Sequence, residues 1–195
     1  MSKDKTKFKT DIKMRRQWAM PNSKTFKIKP IRELIAKVVK EYAEEIGRPI
    51  VVIDPFANEG SILKEFDGVE VEYITNDLDT QYDTDYHLEA SEFISMFEDD
   101  SVDIVLYDPV YSPRQLSEVY KEHGMSVTME TTQSSYWGNQ KKEISRITKQ
   151  GGKVITFGWN SGGIGKSNGF EIEEVLLVPH GGWHNDTICT VDVRQ

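Results

Sequence analysis

The sequence predicts an α/β protein with a mostly parallel open sheet and a C-terminal antiparallel hairpin. Short apolar runs, typical of buried parallel strands, alternate with helical patterns through most of the chain. The last two strand patterns, over 171–180 and 185–193, follow each other directly and meet at two consecutive glycines, Gly181 and Gly182, as in a hairpin. In such a sheet, ligands bind outside the carboxyl ends of the parallel strands.

The individual elements follow from local patterns. Apolar residues recur at helical spacing after Pro30, which favours the first turn of a helix, and Gly47 ends the pattern. Parallel strands are predicted over 49–54, 71–77, 102–108 and 153–159, with a short extended piece at 86–88. Further helices are predicted over 61–66, near 90–98 and over 133–150.

Length and composition indicate one domain, over 17–195, preceded by a flexible basic arm over 1–16. The 195 residues suffice for one sizeable core. Cys189 is the single cysteine, which favours a reducing compartment, and no apolar run is long enough to span a membrane.

The net charge of −8 hides an asymmetry, because residues 1–32 carry 11 basic and only 2 acidic side chains. This basic segment is suited either to contacting phosphates or to forming a solvated tail.

The loop after the first strand is a candidate ligand loop. Its small residues allow the main chain to approach a ligand, and a following helix would offer free N–H groups. The alternative is an ordinary turn between strand and helix. The candidate binding residues here are Asp54, Pro55, Phe56, Ala57, Gly60 and Ser61.

An acid follows the second strand, 23 residues after Asp54. A carboxylate at that place typically accepts hydrogen bonds from ribose hydroxyls. Asp77 is the first candidate and Asp79 the second, while the alternative role is that of a turn residue.

Asp108, Pro109, Val110 and Tyr111 follow the third parallel strand and form the sharpest motif. The Asp108 carboxylate and the Pro109 carbonyl can each accept one N–H of an exocyclic amino group. That arrangement aims the nitrogen lone pair at an electrophilic methyl, while Tyr111 stacks on the ring. The alternative is a strand end with a proline turn.

Three further sets of residues keep two interpretations each. Arg114 either contacts phosphate or base, or pairs with Glu118 at a helix start. Trp18 and Phe26 either stack on a ligand or pack in the core. His180, His184 and Asp186 have a spacing unlike a tight metal site, so no metal is expected.

With these motifs in view, the chain resembles the amino-methylating DNA methyltransferases, above all the short adenine-specific enzymes of phages and prophages. The similar stretches are DPFANEGS, YHLEASEF, DPVY with the following SPRQ, TFGWNSGG, HNDTICTV and the segment WAMPNSKTFKIKP. Together they span about 18–192. The resemblance implies a Rossmann-like methyltransferase fold, S-adenosylmethionine as cofactor and DNA as partner, in the cytoplasm of a bacterium or a phage-infected cell.

The resemblance also assigns residues. Asp77 matches the ribose-binding acid, Glu89 the acid near the cofactor's adenine, and the segment around Trp18 the region that closes over the methionine end. Phosphate contacts are expected from Arg15, Arg16, Lys24 and Arg114. Few residues separate Tyr111 from the next helix. The recognition site is therefore short, or a second subunit or helper protein contributes.

One position departs from the family pattern, since Val110 stands where the motif usually has a second proline. Valine restores an N–H and loosens the loop. Three functions therefore remain open: methylation of adenine N6 in DNA, methylation of an amino group on RNA, protein glutamine or a small molecule, and a weakened module that binds cofactor or DNA without turnover.

Overall fold

A computed structural model describes residues 12–59, 62–110, 112, 114, 117, 118, 121 and 134–195. Its elements in chain order are β1 (Lys13–Arg16), α1 (Lys29–Ile46), β2 (Ile50–Asp54), β3 (Val71–Thr75), α2 (Ala90–Ser95), β4 (Val102–Tyr107), α3 (Ser134–Ile147), β5 (Thr148–Gly158), β6 (Phe170–Val178) and β7 (Thr187–Arg194).

The described strands form one sheet in the order β1-β6-β7-β5-β4-β2-β3. Neighbouring strands run parallel except where β7 pairs with β5 and with β6, so the predicted mostly parallel sheet and C-terminal antiparallel hairpin are confirmed. The chain leaves β2 toward β3 and then crosses back to β4 on the other side of β2. That reversal opens a crevice at the carboxyl ends of β2 and β4.

The core lies on both faces of the sheet. On one face α1 packs its helical stripe, which includes Leu34, Ile35 and Val38, against alternate residues of the central strands. On the other face α2 and α3 bury Phe93 and Ile144. None of the helices in the described part of the chain is long and apolar enough to cross a membrane.

The N-terminal segment departs from expectation. Residues 13–16, predicted to be flexible, form an edge strand parallel to β6, with Lys13 opposite Glu174. Arg15 and Lys37 each place a side-chain nitrogen within 2.8 Å of the Glu174 carboxylate, which compensates this buried charge. Residues 1–11 of the expected arm lie outside the described range.

Two element boundaries also differ from expectation. The helix predicted over 133–150 ends at Ile147, and β5 begins at Thr148, five residues earlier than predicted. The pairing of β4 with β5 shifts register between Val102 and Ile104. Gly152 lies at this irregularity, where a Cβ would be only 2.9 Å from the Asp103 carbonyl oxygen. The extended piece predicted at 86–88 is a single bridge between Asn76 and Tyr86.

A buried carboxylate ties the strands together at the opposite, amino edge of the sheet. Asp103 accepts hydrogen bonds from both terminal nitrogens of Arg48 (2.6 and 3.1 Å), from Lys149 (2.8 Å) and from the Val51 N–H (2.9 Å). Burial works to raise its pKa, but the bonds from Arg48 and Lys149 outweigh it and hold the pKa of Asp103 at about 2.

Candidate active site

The loop after β2 is shaped by its own first residue. Asp54 is buried, and its carboxylate accepts the Phe56 N–H at 3.1 Å and the Tyr73 hydroxyl at 2.8 Å. Burial raises the pKa of Asp54 to about 7, and the nearby carboxylates of Asp77 and Asp108 act in the same direction. Asp54 therefore fixes the conformation of the loop, and its carboxylate interacts electrostatically with those of Asp77 and Asp108.

Asp77 and Asn76 connect this loop to β3. The Asp77 carboxylate accepts the N–H groups of Asn58 and Asp79, both at 2.9 Å. The Asn76 amide bonds the carbonyls of Pro55 and Leu88, which fixes the loop against the segment that leads to α2. Asn58 has a φ of +50°, so the loop turns sharply at this residue. Both predicted acids, Asp54 and Asp77, therefore accept hydrogen bonds from the main chain of the same loop.

Asp108 stands at the end of β4, on the crevice. It is half-buried, and this burial raises the pKa of its carboxyl to about 7, while a hydrogen bond with the Thr25 side chain acts in the opposite direction. A carboxyl group whose pKa is near neutrality can both accept hydrogen bonds and take up a proton.

Asp108 and Pro109 lie on two different cavities. On one side is a narrow cleft of about 20 Å³, lined by Asp108 together with Lys24, Thr25, Phe26, Phe56, Ala57, Asn58 and Glu59. On the other side is a cavity of about 200 Å³, lined by Pro109 together with Tyr107, Trp137, Lys141, Thr156, Phe157, Gly158, Asn160 and Gly163. The strand end therefore separates two binding spaces.

The narrow cleft is closed by ion pairs between the loop and the N-terminal segment. Glu59 pairs with Lys24 and, at 2.6 Å, with Lys27. Phe26 is buried, with its ring 4.9 Å from that of Phe157, so it belongs to the core as well as to the cleft. At about 20 Å³ the cleft, as the structure shows it, is smaller than a nucleoside.

Helix α3 positions the turn that carries the motif. The Trp137 indole N–H donates to the Val110 carbonyl at 2.9 Å. One turn further on, Gln140 accepts the Tyr107 hydroxyl at 2.8 Å and donates to the Ser91 hydroxyl at 3.2 Å. These bonds link the end of β4 to α3 and α2.

Glu89 lies at the start of α2. One carboxylate oxygen accepts the Ser91 N–H at 2.9 Å and caps the helix, and the other accepts the Tyr136 hydroxyl. The structure thus holds the carboxylate of Glu89 in place near the start of α3.

The far wall of the larger cavity is built on a buried acid of β7. Asp192 accepts the Thr190 hydroxyl at 2.6 Å and the Ile164 N–H at 3.2 Å, and burial raises its pKa to about 6. Gly163 has a φ of +54°, and a Cβ there would collide with the Asp192 carboxylate. Lys141 donates to the Gly163 carbonyl at 2.5 Å and closes the loop over the cavity.

The predicted basic residues are mostly engaged within the protein. Arg15 pairs with Glu174 at 2.5 Å, Lys24 pairs with Glu59, and Arg114 pairs with Glu118 at 2.9 Å. The pair expected as one role of Arg114 is therefore present. Arg16 is exposed on β1.

The structure brings Asp54, Phe56, Ala57, Asp77 and Asp108 together, but not Trp18. Trp18 follows β1, where a Cβ on Gly181 would lie 3.6 Å from its indole nitrogen, four strands away from β4. Three predicted site residues lie outside the described residues: Gly60, Ser61 and Tyr111.

Sequence reasoning missed the two residues of α3 that line the larger cavity. Trp137 and Lys141 lie on a helix, which carries no strand-end signal. Asn160 directly follows the strand predicted over 153–159, at the edge of the sheet where ligands are expected. No group of three or more His, Cys, Asp or Glu side chains among the described residues is placed to hold a metal ion.

The comparisons with known proteins agree on the fold. A SAM-dependent methyltransferase from Agrobacterium tumefaciens is 10% identical over 85% of this chain and 63% of that chain, with a TM-score of 0.58. A putative class I S-adenosylmethionine-dependent methyltransferase from Listeria monocytogenes is 14% identical over 86% and 60%, with a TM-score of 0.54. No family model and no curated protein matches the chain.

A third similar structure is 1,6-didemethyltoxoflavin-N1-methyltransferase from Burkholderia thailandensis, solved with bound 1,6-didemethyltoxoflavin and S-adenosylhomocysteine. It is 12% identical over 82% of this chain and 77% of that chain, with a TM-score of 0.53. The chain therefore has the Rossmann-like fold of S-adenosylmethionine-dependent methyltransferases, as predicted, and spans 60–63% of the first two relatives' length.

Proposed function

We propose that the protein transfers a methyl group from S-adenosylmethionine to the N6 amino group of adenine in DNA, with the base turned out of the stack. The observation that carries this proposal is the position of Asp108 and Pro109, which are adjacent at the end of β4 and line one each of two cavities. An amino group held by the Asp108 carboxylate and the Pro109 carbonyl lies at that boundary, where a methyl group can reach it.

The residues of the narrow cleft fit the cofactor. Asp77, which accepts the N–H of the cleft residue Asn58, is the acceptor for ribose hydroxyls. The rings of Phe26 and Phe56 give the cleft apolar walls. The acids Asp54 and Asp108 attract a sulfonium cation. S-adenosylmethionine supplies the electrophilic methyl group when it is bound there.

The larger cavity supports a flat acceptor. Its volume of about 200 Å³ is below the roughly 300–1,000 Å³ of pockets for drug-sized ligands, and suits one ring system. Pro109 and Trp137 offer faces for stacking, while Lys141 and Asn160 supply polar groups at the rim. A flipped base is bound in the same way, by stacking and by hydrogen bonds to its edge.

Catalysis then depends on orientation. The two acceptors bind the amino N–H groups and direct the nitrogen lone pair away from the ring plane. The new N–C bond forms as the S–C bond of the methyl donor breaks. The amino group loses one proton, which the Asp108 carboxylate can accept because its pKa is about 7.

The test is methylation in a host that lacks DNA methylation, with modified bases mapped by single-molecule sequencing. Wild-type protein is expected to produce N6-methyladenine, and Asp108→Ala to abolish it while calorimetry still detects cofactor binding. Asp67→Ala, which removes an exposed acid near the amino edge of β3, is the matched control. Wild-type activity in Asp108→Ala, or label from the cofactor in RNA or protein rather than DNA, would overturn the proposal.

A further inference from the structure

Three of the four tryptophans of the chain are exposed along the carboxyl edge of the sheet. Trp18, Trp159 and Trp183 have exposed fractions of 57%, 52% and 103%. We call them the tryptophan rim; the fourth, Trp137, lines the larger cavity. Indole rings are among the largest apolar surfaces a protein can bury, so an exposed series of them marks a binding surface.

The sheet places the tryptophan rim in line with the proposed active site. One row across the sheet joins Gly158 of β5, Ile188 of β7, Leu177 of β6 and Arg16 of β1. Trp159 follows the first residue of this row, and Trp18 lies two residues beyond the last. Trp183 belongs to the turn between β6 and β7.

The length of this surface suits a polymer. Strands are spaced by about 4.8 Å, so four strand gaps separate β4 from β1 by about 20 Å. Stacked bases repeat every 3.4 Å or so along a strand, so the rim can contact several consecutive bases. A small-molecule acceptor would occupy only the cavity at one end.

The turn that carries Trp183 is well defined. Gly181 and Gly182 have φ values of +72° and +61°, and the His184 N–H donates to the Gly181 carbonyl at 3.3 Å. His180 hydrogen-bonds the Ala19 carbonyl at 3.0 Å and the Thr187 hydroxyl at 2.9 Å. The turn and the segment after β1 are therefore fixed to each other, and both present an indole to solvent.

The segment that leads to the rim is rich in cations. Residues 12–32 carry seven basic and no acidic side chains, and acids elsewhere in the chain pair with six of them. The seventh, Arg16, is exposed on β1, two residues before Trp18. Aromatic faces beside cationic side chains are the chemistry that binds single-stranded nucleic acid without sequence preference.

We infer that the tryptophan rim stacks unpaired bases of the DNA strand that carries the acceptor adenine, so the protein binds single-stranded DNA at least as tightly as duplex. This inference rests on the proposed function for the identity of the strand. The rim extends contact beyond the flipped base to its neighbours, and it replaces part of the recognition surface that a separate domain would provide.

Fluorescence anisotropy with a labelled mixed-sequence 12-nucleotide strand, at one fixed salt concentration, tests the inference. Trp183→Ala and Trp18→Ala are each expected to weaken binding about tenfold, since base–aromatic stacking is worth about 1–3 kcal/mol. Trp183→Phe should restore most of the affinity. Met96→Ala, which removes an exposed side chain beyond the end of α2, is the control and should bind normally.

Two results would overturn the inference: affinity of both alanine variants within twofold of wild type, or a duplex bound more than twofold tighter than the single strand. Methylation assays separate its failure from that of the proposed function. If the tryptophan variants methylate DNA normally and bind it unchanged, the role of the tryptophan rim is wrong and the proposed reaction stands. If binding depends on the tryptophans but no methyladenine forms, the proposed reaction is wrong and the role of the rim stands.

Discussion

The indole N–H of Trp137 donates a hydrogen bond to the main-chain carbonyl of Val110, with 2.9 Å between the two atoms. This bond anchors the turn that presents Asp108 and Pro109. Its acceptor, Val110, stands where the motif described in the sequence analysis usually has a second proline. A side chain from α3 thus restrains a turn that valine alone would leave looser.

Trp137→Phe is expected to lower kcat by about tenfold, because loss of one hydrogen bond of about 1–1.5 kcal/mol allows the turn to move. Cofactor affinity should not change, since Trp137 lines only the larger cavity. Combining Trp137→Phe with Val110→Pro should recover part of the rate. A drop in cofactor affinity that matches the drop in kcat would contradict this role.

Activity should depend on the protonation of Asp108. The pKa of about 7 means that the carboxylate, the form that accepts two N–H bonds, is lost as the pH falls below neutrality. We expect kcat/KM to fall about tenfold per pH unit below pH 7 and to level off above it. A pH–rate profile measures this; a profile flat between pH 5.5 and 8 would be inconsistent with it.

Stability should show the opposite pH dependence through Asp54. Its folded-state pKa of about 7 is raised above the unfolded value, so the native state binds more protons between pH 4 and 7. The resulting stabilisation is full below about pH 4 and is lost as the pH rises through 7, at up to about 1.4 kcal/mol per pH unit. Asp54→Asn should remove this contribution in urea unfolding at pH 5, 6 and 7; an unchanged slope would refute it.

Gly163→Ala should damage the acceptor cavity selectively. Both the positive φ and the nearby Asp192 carboxylate exclude a Cβ, so the loop over the cavity must shift. We expect the KM for DNA to rise at least tenfold while the dissociation constant of the cofactor stays within twofold. Gly47→Ala, also at positive φ but with no atom within 4 Å of the added Cβ, is the comparison. Equal effects on DNA and cofactor would count against the assignment of this cavity.

Asp103→Ala should destabilise the fold without touching the site. The substitution leaves the partly exposed Arg48 and Lys149 without their shared partner and the Val51 N–H unsatisfied, at a cost of about 1–3 kcal/mol. Chemical unfolding measures the loss, and kcat below the melting temperature should be normal. A cost under 1 kcal/mol would show that the carboxylate is not needed at that edge.

The acids of the candidate site could be predicted from the sequence because the carboxyl ends of parallel strands lie at one edge of a sheet. Each acid follows an apolar run that predicts a strand, so the sheet topology implies that Asp54, Asp77 and Asp108 lie close together. Gly163 and Asp192 carry no such signal, since their contact arises only when β7 pairs with β5. The same holds for β1, which has four residues and depends on a partner far along the chain.

The partner of β1 is β6, and this pairing links the N-terminal part of the candidate site to the C-terminal part of the chain. Arg15 and Glu174 are 159 residues apart, so β1 is synthesised first but can dock only after β6 exists. Contacts this distant in sequence slow folding. Segment 17–28, which brings Thr25 to Asp108, is held at one end by β1. The narrow cleft, formed by residues near the start of the chain, therefore depends on a strand that lies near its C-terminal end.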